Sequence, residues 1–203
     1  MKKLLLVGAV ALFGALNAQM EKGSWIVSGK TGIDFSSATT KYTAEGQSYD
    51  GPKVSTFTIT PSVGYFVANN IAVGVDLGFT STKTTFKNSA LEFDYEEKTS
   101  VFSILPNATY YFPTASNLRP YLGAGIGYGS LTSTDFFNDE ETTKGGFLWG
   151  AKGGLLYMLN SNIGIDLGAG YNSLTTKETV DNTEVKTSAD AFGVSAGISV
   201  FFR

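Results

Sequence analysis

From Ser24 onward, apolar and small polar residues alternate with a period of two, the signature of strands whose two faces meet different surroundings. Eight strands are predicted. The first, over about 24–35, sets Trp25, Val27, Ile33 and Phe35 against Ile26, Ser28, Lys30, Gly32 and Asp34. The second, about 54–67, carries Phe57, Ile59, Pro61, Val63 and Tyr65 on its apolar face. The third, about 71–81, sets Ile71, Val73, Val75, Leu77 and Phe79 against Ala72, Gly74, Asp76, Gly78 and Thr80. The fourth carries Phe102, Ile104, Pro106, Ala108 and Tyr110; the fifth sets Leu122, Ala124, Ile126 and Tyr128 against Tyr121 and a run of alternate glycines. The sixth carries Trp149, Ala151, Leu155 and Tyr157, and the seventh sets Ile163, Ile165, Leu167 and Tyr171 against Gly164, Asp166, Gly168 and Gly170. The last carries Phe192, Val194, Ala196, Ile198, Val200 and Phe202.

The polar face decides the architecture. A soluble sandwich turns its apolar face inward and covers the outer one with Lys and Glu. Here the polar face is mostly Gly, Ser and Thr, which suits a narrow interior where backbones crowd. The apolar face then meets lipid, which predicts an eight-stranded antiparallel transmembrane up-and-down β-barrel. The connections agree. Segments 68–70 and 160–162 read as three-residue turns and 113–119 as a short link, while 36–53, 82–98, 132–144 and 174–190 read as long polar loops. Short turns belong at the periplasmic end and long loops outside, with both termini periplasmic. Parity adds a test. The seventh strand turns odd residues outward and the eighth even ones, so their hairpin needs an even loop. A turn at Asp181-Asn182 puts Val180 opposite Thr183 and Ile165 opposite Ile198, and sets Lys177 against Lys186.

A template recurs on this frame. "FTITPSVGYFV" (57–67) and "FSILPNATYYF" (102–112) match, with a looser copy at 149–157. Each places an aromatic at one end (Phe57, Phe102, Trp149) and Tyr eight residues on (Tyr65, Tyr110, Tyr157). Eight steps of about 3.3 Å, tilted by about 40°, give roughly 20 Å of height, the spacing of two aromatic girdles across a thin bilayer. Pro61 and Pro106 sit mid-strand without an N–H to donate. A local bulge, or a bond from Thr60, Ser62 or Asn107 to the orphaned carbonyl, would accommodate them.

The N-terminus reads as a leader. Lys2 and Lys3 precede an apolar run from Leu4 to Leu16 and a small-residue exit at Ala18. Thirteen residues are too few to span a bilayer as a helix and suit a secretory signal. The expected division is a signal peptide over 1–18 and a barrel domain over 19–203. The mature chain would carry 13 basic residues against 18 acidic ones. That balance, with no basic cluster, excludes a nucleic-acid binder. With no Cys and no His, the chain lacks the usual thiolate and imidazole metal ligands and the commonest catalytic base.

Leader, alternating strands and girdles together resemble the small outer-membrane β-barrel family that includes outer membrane proteins A and X, over the whole mature chain. The sharpest stretch is the C-terminal "SAGISVFF". The resemblance implies an assembly signal read by the barrel-insertion machinery, polar-x-Gly-x-x-apolar-x-aromatic, with Ser195, Gly197, Val200 and Phe202 in its places. The chain departs at Arg203, where the family ends on the aromatic. Enzymes of the family, the resemblance implies, rely on histidine-assisted sites, so no catalysis is expected here.

Candidate chemistry is sparse. "GAGIGYG" fails as a dinucleotide loop, since Tyr128 and Ser130 stand where third glycines belong and no helix follows. The acidic run 135–141 lacks calcium-loop spacing and reads as a solvated loop. No cofactor or metal is expected. Lys30, Asp76, Lys152 and Asp166 fall on the inward face at middle height, where unpaired charge is expensive, so they are expected to pair across the lumen. Ile26, Phe66, Tyr111, Leu156, Met158 and Phe201 cluster inward at the short-turn end, and eight strands are expected to leave room for side chains alone. The leading expectation is a structural or envelope-interaction barrel with a plugged lumen. The alternatives are a small gated pore and adhesion through outer hairpins such as "STKTTFK" and "LEFDYEEK", which keep alternating beyond the membrane band.

Overall fold

The computed structural model describes residues 20–32, 38–44, 47–88, 93–134, 141–180 and 183–203. These form no helix. The strand segments are β1 (Trp25–Gly32), β2 (Ala38–Ala44), β3 (Gln47–Ala68), β4 (Ile71–Asn88), β5 (Phe93–Tyr111), β6 (Leu118–Thr134), β7 (Glu141–Met158), β8 (Ile163–Val180) and β9 (Thr183–Phe202). From β2 to β9 each segment pairs antiparallel with the next. β1 pairs with β3 on one edge and β9 on the other, for example Val27 with Val63 and with Val200, and this closes the sheet. β1 and β2 take successive stretches of β3, β2 from Val54 outward, so they count as one wall position and the closed barrel is eight-stranded. Over the residues that β1 pairs, Trp25 to Gly32, closure removes the free edges that an open sheet would expose.

The register of the last hairpin follows parity: Val180 faces Thr183, Ile165 faces Ile198, and Lys177 faces Lys186. The turn at Asp181-Asn182, the leader at 1–18, Ile33 and Phe35, and most of the acidic run 135–141 lie outside the described residues.

Three expectations change. The segments expected as loops continue as strand over much of their length: β4 and β5 stay paired to Asn88–Phe93, and β6 and β7 to Thr134–Glu141. Their continued alternation, with Thr and charged residues replacing the apolar set, marks a ribbon that has left the apolar band. The 68–70 turn is two residues, Asn69-Asn70, preceded by a bulge at Val67, where the pairing steps from Phe66–Ala72 to Ala68–Ile71. Asn70 takes the positive φ of 65° that the tight turn requires, which Asn tolerates. Bulge and turn together span three residues, so Val67 and Ile71 still face outward. Finally, no bulge marks the prolines. The register runs unbroken past Pro61 and Pro106, and only the rungs beside them, toward β4 and β6 respectively, drop out of the ladder. Asn107 does donate its side-chain amide, but to Leu105 O in its own strand (3.1 Å) rather than across the ladder.

The two faces separate as the alternation requires. Trp25, Phe79, Ile126, Leu167 and Ile198 are exposed on the outside, whereas Ile26, Phe66, Leu156 and Phe201 are buried within.

Candidate functional site in the barrel lumen

The short-turn end of the lumen is packed. Phe66, Leu156 and Phe201 have no exposed surface, and Ile26, Ala72, Tyr111 and Tyr121 join them in one cluster, with Met158 against it. Met20 belongs to the same cluster. It is carried there by the segment before β1, which crosses beneath the barrel: Asn70 N–H donates to Met20 O (2.8 Å), and Gly23 N–H to Phe66 O (2.9 Å). Ile26 faces Gly64, Phe66 faces Ala72 and Tyr121 faces Gly154 across the ladder, which makes room for dense packing in a narrow tube.

Above this floor lie the four charges. They resolve into two ion pairs: Lys30 Nζ to Asp166 Oδ2 at 3.0 Å, and Lys152 Nζ to Asp76 Oδ2 at 2.6 Å. Tyr121 joins the first pair. Lys30 Nζ donates to its hydroxyl (2.9 Å), and that hydroxyl donates to Asp166 Oδ1 (2.7 Å). The Lys30 ammonium also sits 4.7 Å from the Tyr121 ring centroid. Each Asp166 oxygen thus has a partner, and the residue is almost fully buried, at 2% exposure. The Tyr121 hydroxyl reaches this place through a slot made by Gly154 and Gly168, which face each other across β7 and β8. A Cβ on Gly154 would lie 2.6 Å from that hydroxyl, and one on Gly168 2.5 Å. Parity alone had put Tyr121 inward. Its link to the charges needed the positions of strands on opposite walls.

Above the ion pairs the lumen opens. A cavity of about 430 Å³ lies there, with Lys30, Asp76, Lys152 and Tyr121 at its base. This corrects the expectation that side chains alone fill the interior. Its wall is two-sided. On β3 and β4, Thr58 and Thr80 pair hydroxyls at 3.1 Å, and Thr56 bonds Thr82, beyond the lining, at 3.2 Å. On β5, β7 and β8, Leu105, Leu148 and Leu174 form a second buried apolar cluster, with Leu131 of β6 against it. Along β8 and β9 the wall is nearly bare. Gly170 faces Gly193, and a Cβ on Gly193 would meet nothing within 4 Å.

The family model for the outer membrane protein beta-barrel domain matches residues 4–202. The chain belongs to that family. Its place is the outer membrane. None of the curated protein sequences matches it. Among solved structures it is similar to Neisserial surface protein A (22% identity, 88% of this chain and 97% of that one, TM-score 0.54). It is also similar to outer membrane protein OprG from Pseudomonas aeruginosa (17% identity, 92% and 99%, TM-score 0.52) and to outer membrane protein AlkL (21% identity, 94% and 95%, TM-score 0.50). At these identities the likeness concerns the barrel.

On the outer surface of this family barrel, Phe57, Phe102 and Trp149 are exposed toward the hairpin end and Tyr110 and Tyr157 toward the short-turn end. Tyr65 is half-buried because its ring packs on Trp25, centroids 5.1 Å apart. Of the C-terminal residues, Ser195 and Gly197 face inward and Val200 and Phe202 outward, with Gly197 opposite Lys30 and Phe202 opposite Trp25. Arg203, where the chain departs from the assembly signal, reaches Glu21 at 3.6 Å. Among the described residues no group of three or more acidic side chains is placed to hold a metal ion.

Proposed function

We propose that the protein is a closed-floor outer-membrane barrel with a structural or envelope-interaction role, without enzymatic activity or a resident cofactor. The observation that carries this reading is the sealed short-turn end: three side chains without exposed surface, backed by two ion pairs that neutralise each other. A path for ions would need to displace both layers. The girdle aromatics hold the barrel at its depth in the bilayer, the short turns and both termini lie in the periplasm, and the insertion machinery reads Ser195, Gly197, Val200 and Phe202. Planar-bilayer recording of the refolded protein tests the reading. No steady current is expected; a large, steady wild-type current would place the gated-pore alternative ahead.

The long ribbon of β4 and β5 supports adhesion as a second reading. It stays paired well past Phe79 and Phe102, and Lys83 and Glu96 bridge it at 2.7 Å. An extended ribbon of this kind can accept a partner strand along its edge. Shortening it at both strands and measuring cell binding tests this; unchanged binding removes the reading.

A further inference from the structure

We infer that the cavity above the ion pairs is a binding cup for a small uncharged amphipathic molecule that enters from the hairpin end. The inference rests on the closed-floor reading, because an open floor would make the same space part of a channel.

Three features select the ligand. The first is size: about 430 Å³ lies in the range of small-molecule pockets. The second is the two-sided wall. Leu105, Leu148 and Leu174 offer an apolar surface on one side. On the other, Thr58 and Thr80 bond to each other through one hydrogen, which leaves a second hydroxyl hydrogen and lone pairs for a ligand. A molecule with an apolar body and a hydroxyl or carbonyl on one flank satisfies both. The third is charge. Each ammonium at the base is already matched by a carboxylate, Lys30 by Asp166 and Lys152 by Asp76. At the base an added anion or cation would find no unmatched partner and would still lose its hydration, and the one other charge among the described lining residues, Asp190, repels an anion. The bare stretch at Gly170 and Gly193 leaves that part of the wall without side chains, so a large side chain added there would intrude on the space.

That last feature supplies the test. Gly193 faces the cavity and Gly29 faces outward, and a Cβ added at either meets nothing within 4 Å. Gly193→Phe therefore narrows the cup, and Gly29→Phe adds the same side chain outside it. The probe is 4-benzoylbenzyl alcohol, an uncharged benzophenone with one hydroxyl, photolysed with the protein in lipid nanodiscs and mapped by mass spectrometry. Its charged analogue, 4-benzoylbenzoate, runs in parallel. The expected result is labelling at Leu105, Leu148 or Leu174 in the wild type and in Gly29→Phe, reduced in Gly193→Phe, and weaker with the carboxylate. Both variants are first checked for the heat-modifiable migration of a folded barrel. Labels confined to outward residues, inward labels undiminished in Gly193→Phe, or equal labelling by the carboxylate would overturn the cup. Conductance of the same preparations separates the two ideas. A silent barrel without inward labels sinks the cup alone, and a steady current sinks the closed floor on which the cup rests.

Discussion

The two halves of the lumen share one wall and one alternating pattern, yet one is solid and the other hollow. At the short-turn end, Ile26, Phe66, Tyr111, Leu156 and Phe201 converge on one another and on small residues opposite. At the hairpin end the inward positions are Thr on β3 and β4, Leu on β5, β7 and β8, and Gly or Ala on β9, and these leave a cavity of about 430 Å³. Alternation fixes which face a residue takes. The volume of the inward residue at each height decides whether the tube is a plug or a cup. The ion pairs mark the boundary, as the lowest layer the cavity touches and the highest layer of the floor.

Substitutions on the two sides of that boundary should therefore behave differently. Phe201→Ala removes a side chain with no exposed surface from the solid half, and is expected to lower stability by about 3–5 kcal/mol. Leu148→Ala removes one beside the hollow, where less packing is lost, and about 2 kcal/mol is expected. Denaturant unfolding of refolded barrels compares them, and equal losses would erase the distinction between halves. Phe202→Ala, outward on the same strand, should instead reduce barrel assembly more than Phe201→Ala does, read as heat-modifiable yield.

The next contrast lies within the boundary layer. Asp166→Ala strands Lys30 and the Tyr121 hydroxyl where the carboxylate side chain is 3% exposed, and about 3 kcal/mol should be lost. Asp76→Ala strands Lys152, whose side chain is 25% exposed toward the cavity, and water screening should hold the loss to about 1 kcal/mol. Should Asp76→Ala prove the more damaging, the cavity side of the layer is drier than the structure implies. Gly168→Ala should cost about 1–3 kcal/mol by pushing the Tyr121 hydroxyl out of its slot, and Gly193→Ala almost nothing; the same unfolding midpoints decide. Thr58→Val should cost about 1 kcal/mol, from the hydroxyl pair with Thr80.

Much of this was legible from period-two alternation. It supplied the eight wall positions, the outward set, the register of β8 with β9 and the inward bulk at the short-turn end. It also brought Lys30, Asp76, Lys152 and Asp166 to one height. It could not say which lysine meets which aspartate, because parity gives the face and height of a residue but not its position around the barrel. For the same reason Tyr121 was read as inward while its slot between Gly154 and Gly168 went unseen. The cavity escaped because bulk was counted near one end, whereas Gly170 and Gly193 matter for facing each other at mid-height. The alternation of "STKTTFK" and "LEFDYEEK" is legible in the sequence, but how far β4 and β5 stay paired along it is not, because polar composition suits a ribbon and a loop alike.

The closed floor is the central claim, and the absence of cysteine makes it directly testable. Thr58→Cys places a thiol above the ion pairs and Ser161→Cys one at the short-turn end. Each variant, inserted into sealed vesicles, is exposed to a small membrane-impermeant thiol reagent, outside only and then after lysis. The account predicts that the two sites react from opposite sides: one with reagent outside, the other only once the vesicle is opened. Reaction of both from the same side, at comparable rates, would show that the reagent passes the floor and would contradict the account.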